Sequence, residues 1–413
     1  MSGISKRNQN LLSPRLGILN NLPFVIPFET RVAIFRQFIM EDMRRSDANR
    51  FRRGRRTVIR RNNIAEDAFA HLSNIGAELK GRIDVVFVDQ FGMEESGIDG
   101  GGLFKELLTG LSKEVFNVDK GLWRANEAHE IYPTPSAYAR ESGQLQWYSF
   151  IGRILGKALY SGILVDVRFA RFFLAKWLGK MSYLDDLVSL DPDLYKGLLF
   201  LKNYAGNVET DLSLNFTVTE NEFGEVKTFE LIPRGAETPV TNENRLLYIY
   251  SMSNYRLNTQ ISKQCEAFFG GLSEIVPPRY LRLFNQSELR ALVGGVEESI
   301  DLEDLYENTV YGGWPQDEAN ATIRMFWEVL AEFTQEEKAL FLKFVTSCER
   351  SPLLGFSHLN PKFAIRNAGQ DVQRLPTSST CVNLLKLPEY KTKQEMKSKL
   401  LYAINSGAGF DLS

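Results

Sequence analysis

Apolar residues recur along most of this chain at helical spacing and at strand spacing only in short stretches. Over residues 29–45, Val32, Phe35, Ile39 and Met43 fall near one face, which predicts a helix. Residues 145–178 predict two more. Within them Ile151, Leu155, Leu159 and Ile163 share a face, as on a core helix. The helical pattern returns over 185–201, over a long stretch at 243–269, near 278–292, as a pair over 318–348, and over 393–406. IDVVFVD, Ile83 to Asp89, predicts a buried strand. Phe216–Leu231 alternates on both sides of a turn at Glu222–Glu225 and predicts a hairpin. Phe363–Arg366 and Val382–Leu387 predict two further strands. YGGWP, Tyr311 to Pro315, interrupts the helical pattern and predicts a boundary, and its glycines make it a candidate hinge.

Composition narrows the class. The 413 residues are 44% hydrophobic and 24% charged, an ordinary globular balance with room for two or three domains. A net charge of −2 gives no global field for nucleic acid. No run of roughly 18 apolar residues predicts a membrane span. Arg44–Arg61 holds nine arginines and one acid. With Phe51 its single aromatic residue, it reads as a solvated loop rather than a nucleic-acid surface. GIDGGGLFKELL, Gly97 to Leu108, reads as a glycine-rich turn entering a helix. It lacks the Gly-Lys-Ser/Thr of a P-loop.

Three cysteines fit a reducing compartment, hence cytosol or nucleus. Their spacing separates them. Cys265 continues a stripe with Ile261, Phe268 and Phe269, and Cys348 one with Phe341, Phe344 and Val345, so both read as core thiols. Cys381 instead follows Thr377, Ser378, Ser379 and Thr380 at the mouth of a strand, where a thiol meets water. The three histidines, His71, His129 and His358, do not flank it, although His358 and Asn383 are candidates to converge in space. No CxxC or HxxxH spacing predicts a metal site. A thiol without a built-in base suits thioester exchange, which is close to thermoneutral and needs mainly positioning.

GIDGGGLFKEL, PVTNENRLLYI, FLKFVTSCERSPLLGF, LPTSSTCVNLLKLPEY and the terminal AGFDLS, in this order, resemble HECT-type ubiquitin-protein ligases over about residues 22–413. Within that family the chain is most similar to the proteasome-associated E-three-C type. The resemblance implies an α+β, bilobal fold after a poorly ordered lead-in at 1–21. A large, mainly helical N-lobe would span 22–310, with a small conjugating-enzyme-binding subdomain at 186–238. A flexible hinge at 311–316, with Gly312 and Gly313, would lead to a smaller α/β C-lobe at 317–413.

Under that resemblance Cys381 accepts ubiquitin as a thioester from a charged conjugating enzyme, and a substrate lysine then takes it as an isopeptide. Arg374, Thr380 and Phe410 match positions that support transfer. Leu194, Leu198, Tyr204, Leu212, Leu214 and Tyr248 match an apolar docking groove, with Leu212 and Leu214 expected on a strand. The implied partners are the conjugating enzyme, ubiquitin, protein substrates and the proteasome, with no nucleic acid, membrane, metal or organic cofactor. Many family members carry His-Thr-Cys-Phe-Asn where this chain has Ser379-Thr380-Cys381-Val382-Asn383. Asp411 is a second tail residue placed to act on the incoming lysine. Two other classes stay open: a catalytically silent ubiquitin-binding or adaptor module, and a thiol hydrolase.

Overall fold

The computed structural model describes residues 22–47, 55–89, 91–94, 102–222, 224–295, 299–314 and 319–406. The chain runs through α1 (Phe28–Asp47), β1 (Arg55–Arg60), α2 (Ile64–Leu72), β2 (Ile83–Val88) and α3 (Gly102–Val115). Then come β3 (Trp123–Ala125), β4 (Ile131–Pro133), α4 (Ser142–Ser161), α5 (Arg171–Trp177), α6 (Pro192–Asn203) and α7 (Val208–Leu212). The hairpin β5 (Thr217–Glu222) and β6 (Glu225–Glu230) leads to α8 (Arg245–Asn254), α9 (Ser262–Ile275), α10 (Pro278–Leu281), α11 (Gln286–Gly294) and α12 (Leu302–Glu307). The last part is β7 (Val310–Gly312), α13 (Ala319–Ala331), α14 (Gln335–Thr346), β8 (Ala364–Asn367), β9 (Thr377–Ser379), β10 (Leu384–Leu387) and α15 (Lys393–Asn405). Helices and several small sheets make the α+β class.

Two compact units divide the chain. One joins Met1–Val115, Lys157–Asp166 and Arg290–Ser413, and the other joins Phe116–Gly156 and Val167–Leu289. In the first unit, β1 pairs in parallel with β2. Thr57 and Ile59 are buried while Arg56, Val58 and Arg60 face water, a strand alternation that the many arginines mask in the sequence. The basic stretch therefore does not form one solvated loop: it ends α1 and becomes β1. Its later arginines find internal acids. Arg60 lies 2.6 Å from Asp67 and Arg61 2.6 Å from Glu106.

The C-terminal part of this unit has its own apolar cluster. Its members run from Ile300 to Ile404 and include Phe326, Phe341, Ile365, Leu385 and Leu400. The sheet order is β7-β8-β10-β9; β8 is parallel to both neighbours, and β9 is antiparallel to β10. The helices start where the sequence provides caps. Thr334 and Glu337 form a reciprocal capping box at α14, and Thr392 accepts from the Glu395 amide at α15. Of the expected hinge, Pro315 and Gln316 lie outside the described residues, while Gly312 closes β7 and pairs with Arg366 of β8. Gly313 follows at φ +75°. Trp314 donates its indole N–H to the Ile365 carbonyl at 3.1 Å.

The second unit is built on an aromatic core in which Trp123, Phe169, Phe173 and Phe268 lie with ring centroids 5.3–6.3 Å apart. Here α4 crosses α9 on a pair of glycines. A Cβ on Gly152 would stand 2.0 Å from the Phe268 carbonyl oxygen, and one on Gly271 would stand 1.9 Å from that of Ser149. The long helix expected at 243–269 is two helices, α8 and α9, separated by a π-turn at Tyr255–Thr259. That turn carries Asn258, whose side chain accepts from Lys176 and donates to the Ser182 carbonyl at 3.1 Å. The helix expected over 185–201 also divides, because Asp191 caps α6 and Pro192 occupies its first turn.

Candidate active site

Cys381 lies in a single 3-10 turn, Thr380–Val382, between β9 and β10. Its backbone is described; its side chain lies outside the described atoms. β9 and β10 pair antiparallel with Ser379 opposite Leu384, so the turn is the tip of a tight connection. Ser378 fastens one arm by donating to the Phe344 carbonyl at 2.5 Å. Asn383 fastens the other. It is 0% exposed and holds φ +52°, ψ 42°, a conformation that asparagine tolerates better than most residues. Its amide donates to the Thr380 carbonyl at 3.4 Å, and its own carbonyl accepts from Ala364 at 3.0 Å. Its side-chain N–H donates to the Pro361 carbonyl, and its side-chain oxygen accepts from Lys105 Nζ, both at 2.5 Å.

Lys105 sits in the first turn of α3, the helix that GIDGGGLFKELL enters. The glycines Gly100 and Gly101 and their approach fall outside the described residues. α3 packs against the Cys381 turn. Thr380 is half-buried and lines a cavity of about 350 Å³ together with Leu108, Thr109, Phe344 and Ile404. Arg374 is exposed. Its backbone carbonyl accepts from the hydroxyl of buried Tyr390 at 2.6 Å, which ties the loop ahead of β9 to the core. Phe410 and Asp411 lie outside the described residues.

The other two thiols are inside the protein. Cys265 and Cys348 are each 5% exposed. Burial pushes the Cys265 thiol up to about 12 and the Cys348 thiol up to about 11, because the thiolate loses its hydration. His358 is exposed, and its Nδ1 lies 2.8 Å from the Leu354 carbonyl. Asn383 is held by Lys105 and Pro361, so this pair does not form a catalytic couple with the turn.

The expected groove residues all belong to the second unit. Leu198 and Tyr248 are 3% and 7% exposed, and the Tyr248 ring meets Phe216 edge-on at 5.5 Å. These two are core more than surface. Leu194, Tyr204, Leu212 and Leu214 are half-buried. The strand expected for Leu212 and Leu214 is absent. Asn207 caps the short helix α7, which ends at Leu212, and Ser213 turns the chain at φ +48°. Tyr204 places its ring 5.3 Å from Phe200, which is 59% exposed. Phe200, Lys105 and Asn383 carry no periodic signal that marks them out. Among the described residues, no group of three metal-ligating side chains is assembled and no helix is long and apolar enough to cross a membrane.

The profile of the HECT-domain (ubiquitin-transferase) family matches residues 109–413. A probable E3 ubiquitin protein ligase of Schizosaccharomyces pombe is 51% identical over 401 residues, covering 97% of this chain and 39% of that protein. E3 ubiquitin-protein ligase HUL5 of Saccharomyces cerevisiae is 46% identical over 97% of this chain and 45% of its own length. Human ubiquitin-protein ligase E3B is 40% identical over 96% of this chain and 40% of its own. The chain thus spans about two fifths of the length of these relatives. With one turn-held cysteine, two buried ones and a family match over most of its length, the chain belongs to the HECT-domain (ubiquitin-transferase) family.

Proposed function

We propose that this chain is the catalytic part of a ubiquitin-protein ligase and that Cys381 carries ubiquitin. The observation that supports this most is the turn Thr380–Val382, presented at the tip of a sheet connection and fixed on both arms, in a chain whose other two thiols are buried. The Cys381 thiolate attacks the carbonyl carbon of a conjugating enzyme's thioester. A new C–S bond forms, the old one breaks, and the conjugating enzyme leaves as a thiolate. A lysine amine then attacks the same carbonyl. A C–N bond forms, Cys381 leaves as a thiolate, and the amine loses its proton to solvent.

The proposed docking surface is the apolar face of the 186–238 region, with Leu194, Tyr204 and Leu214 as partly accessible members and exposed Phe200 beside them. Leu198 and Tyr248 support it from below. Arg374, Thr380 and Phe410 are assigned to transfer support, and the cytosol or nucleus to its location. Partnership with the proteasome is part of the same proposal.

The test mixes the protein with ubiquitin-charged conjugating enzyme. A reducible ubiquitin adduct forms on the wild type and is absent in Cys381→Ala, with both proteins equally folded. No adduct on the wild type, with a panel of conjugating enzymes, leaves the silent adaptor. An adduct that survives Cys381→Ala shows that a different thiol carries ubiquitin.

A further inference from the structure

Lys105 and Asn383 are 278 residues apart in sequence, yet their side chains meet. The C-terminal cluster draws on Ile300 to Ile404 alone, so α3 and its Lys105 stand outside it. α3 packs against the Cys381 turn. A charged N–H donor on a buried amide oxygen is directional and stronger than a neutral pair.

We propose that Lys105 is a positioning residue for the Cys381 turn, acting through Asn383. This rests on Cys381 being the ubiquitin acceptor. Asn383 stands two residues beyond Cys381 and is bonded at its amide, its carbonyl and both ends of its side chain. Three of those four bonds stay within the 300–404 part of the chain: to Thr380, Ala364 and Pro361. The bond to Lys105 is the one that refers the turn to an element outside its own core. Losing it leaves the turn folded but lets it shift against α3. Small misplacements of a reacting group lower the rate of group transfer without weakening partner binding. Lys105 is in the first unit and the proposed docking residues are in the second, so the effect falls on turnover and not on capture of the conjugating enzyme.

The test measures steady-state transfer to free lysine against the concentration of charged conjugating enzyme. Lys105→Met keeps the aliphatic stem, and it lowers kcat about tenfold with KM within twofold. Lys105→Arg, which keeps a cationic donor, recovers most of the rate. In an Asn383→Gly background, which tolerates the positive φ, Lys105→Met has no further effect, as expected for two ends of one bond. A normal kcat in Lys105→Met overturns the proposal, as does a rise in KM at constant kcat or a full tenfold loss that persists in Asn383→Gly. Equal losses in Lys105→Arg and Lys105→Met also count against it, with thermal unfolding of each variant showing that the fold is kept. If wild-type protein forms no Cys381 adduct, the reading beneath the proposal fails, and that outcome is read before any variant is compared.

Discussion

Cys265 and Cys348 are each 5% exposed, and burial raises their thiol pKa values to about 12 and about 11. The sign follows from solvation. The thiolate is the form that burial penalises, so at about pH 8 both buried side chains stay neutral thiols. An alkylating reagent at that pH therefore adds at most one label to the native protein, at Cys381, and three after denaturation. Raising the pH makes labelling of the buried thiols appear, as their thiolate populations grow. Peptide mapping checks this, and fast native labelling of Cys265 would contradict it. The same shifts bear on stability. A thiol raised above its unfolded value of about 8.5 stabilises the fold below that pH, and the contribution is lost as pH climbs toward the folded value. That Cys265 is buried was legible from spacing, because it shares the apolar period of α9; Cys348, buried as well, lies two residues past the end of α14. Lys105 was not legible. Its role depends on an asparagine 278 residues away, and no local pattern encodes that meeting.

Elements were legible where burial follows a period and illegible where a tertiary contact overrides it. The core helix α4 shows its apolar face plainly. Its crossing with α9 does not show, because it rests on the absence of side chains at Gly152 and Gly271. A Cβ at Gly271 would stand 1.9 Å from the Ser149 carbonyl oxygen, and one at Gly152 would stand 2.0 Å from that of Phe268. Both obstacles are backbone, so relief requires the helices to separate. Gly271→Ala is therefore expected to cost about 3 kcal/mol, the upper end of overpacking penalties. Gly270→Ala, one residue away with nothing within 4 Å, serves as the control and is neutral to about 1 kcal/mol stabilising, since alanine is the better helix former. Urea midpoints of the two variants decide it; similar midpoints would mean that the crossing is looser than drawn. The π-turn at Tyr255–Thr259 and the strand β1 were hidden for related reasons. Asn258 reaches across to Ser182 and Lys176, and arginines cover the wet face of β1, so in each case the deciding partner lies elsewhere in the chain.

For the whole chain the open point is where one core gives way to the next. The sequence places the break at Tyr311–Pro315, since two glycines and a proline interrupt the helical period there. The C-terminal apolar cluster begins earlier. α11 ends at Gly294, the Val293 carbonyl still accepts from Val165 at 2.9 Å, and the C-terminal cluster has begun by Ile300. Val310 donates to the Phe363 carbonyl at 2.9 Å and Gly312 pairs with Arg366, so the two glycines lie in and just beyond a paired strand. They differ in conformation. Gly313 holds φ +75°, whereas a Cβ on Gly312 meets nothing within 4 Å. Gly313→Ala should therefore destabilise the β7 edge by about 1 kcal/mol, through backbone strain alone, because the nearest atom to the new Cβ is 3.7 Å away on Asn367. Hydrogen exchange of the Val310 and Ile365 amides should quicken about fivefold in that variant, if local opening governs it. Gly312→Ala should leave exchange unchanged or slower, since alanine loses less freedom than glycine on entering a strand. A swivel at 311–316 predicts a different result. Both variants would then keep wild-type exchange in β8, and both would slow ubiquitin transfer by similar factors.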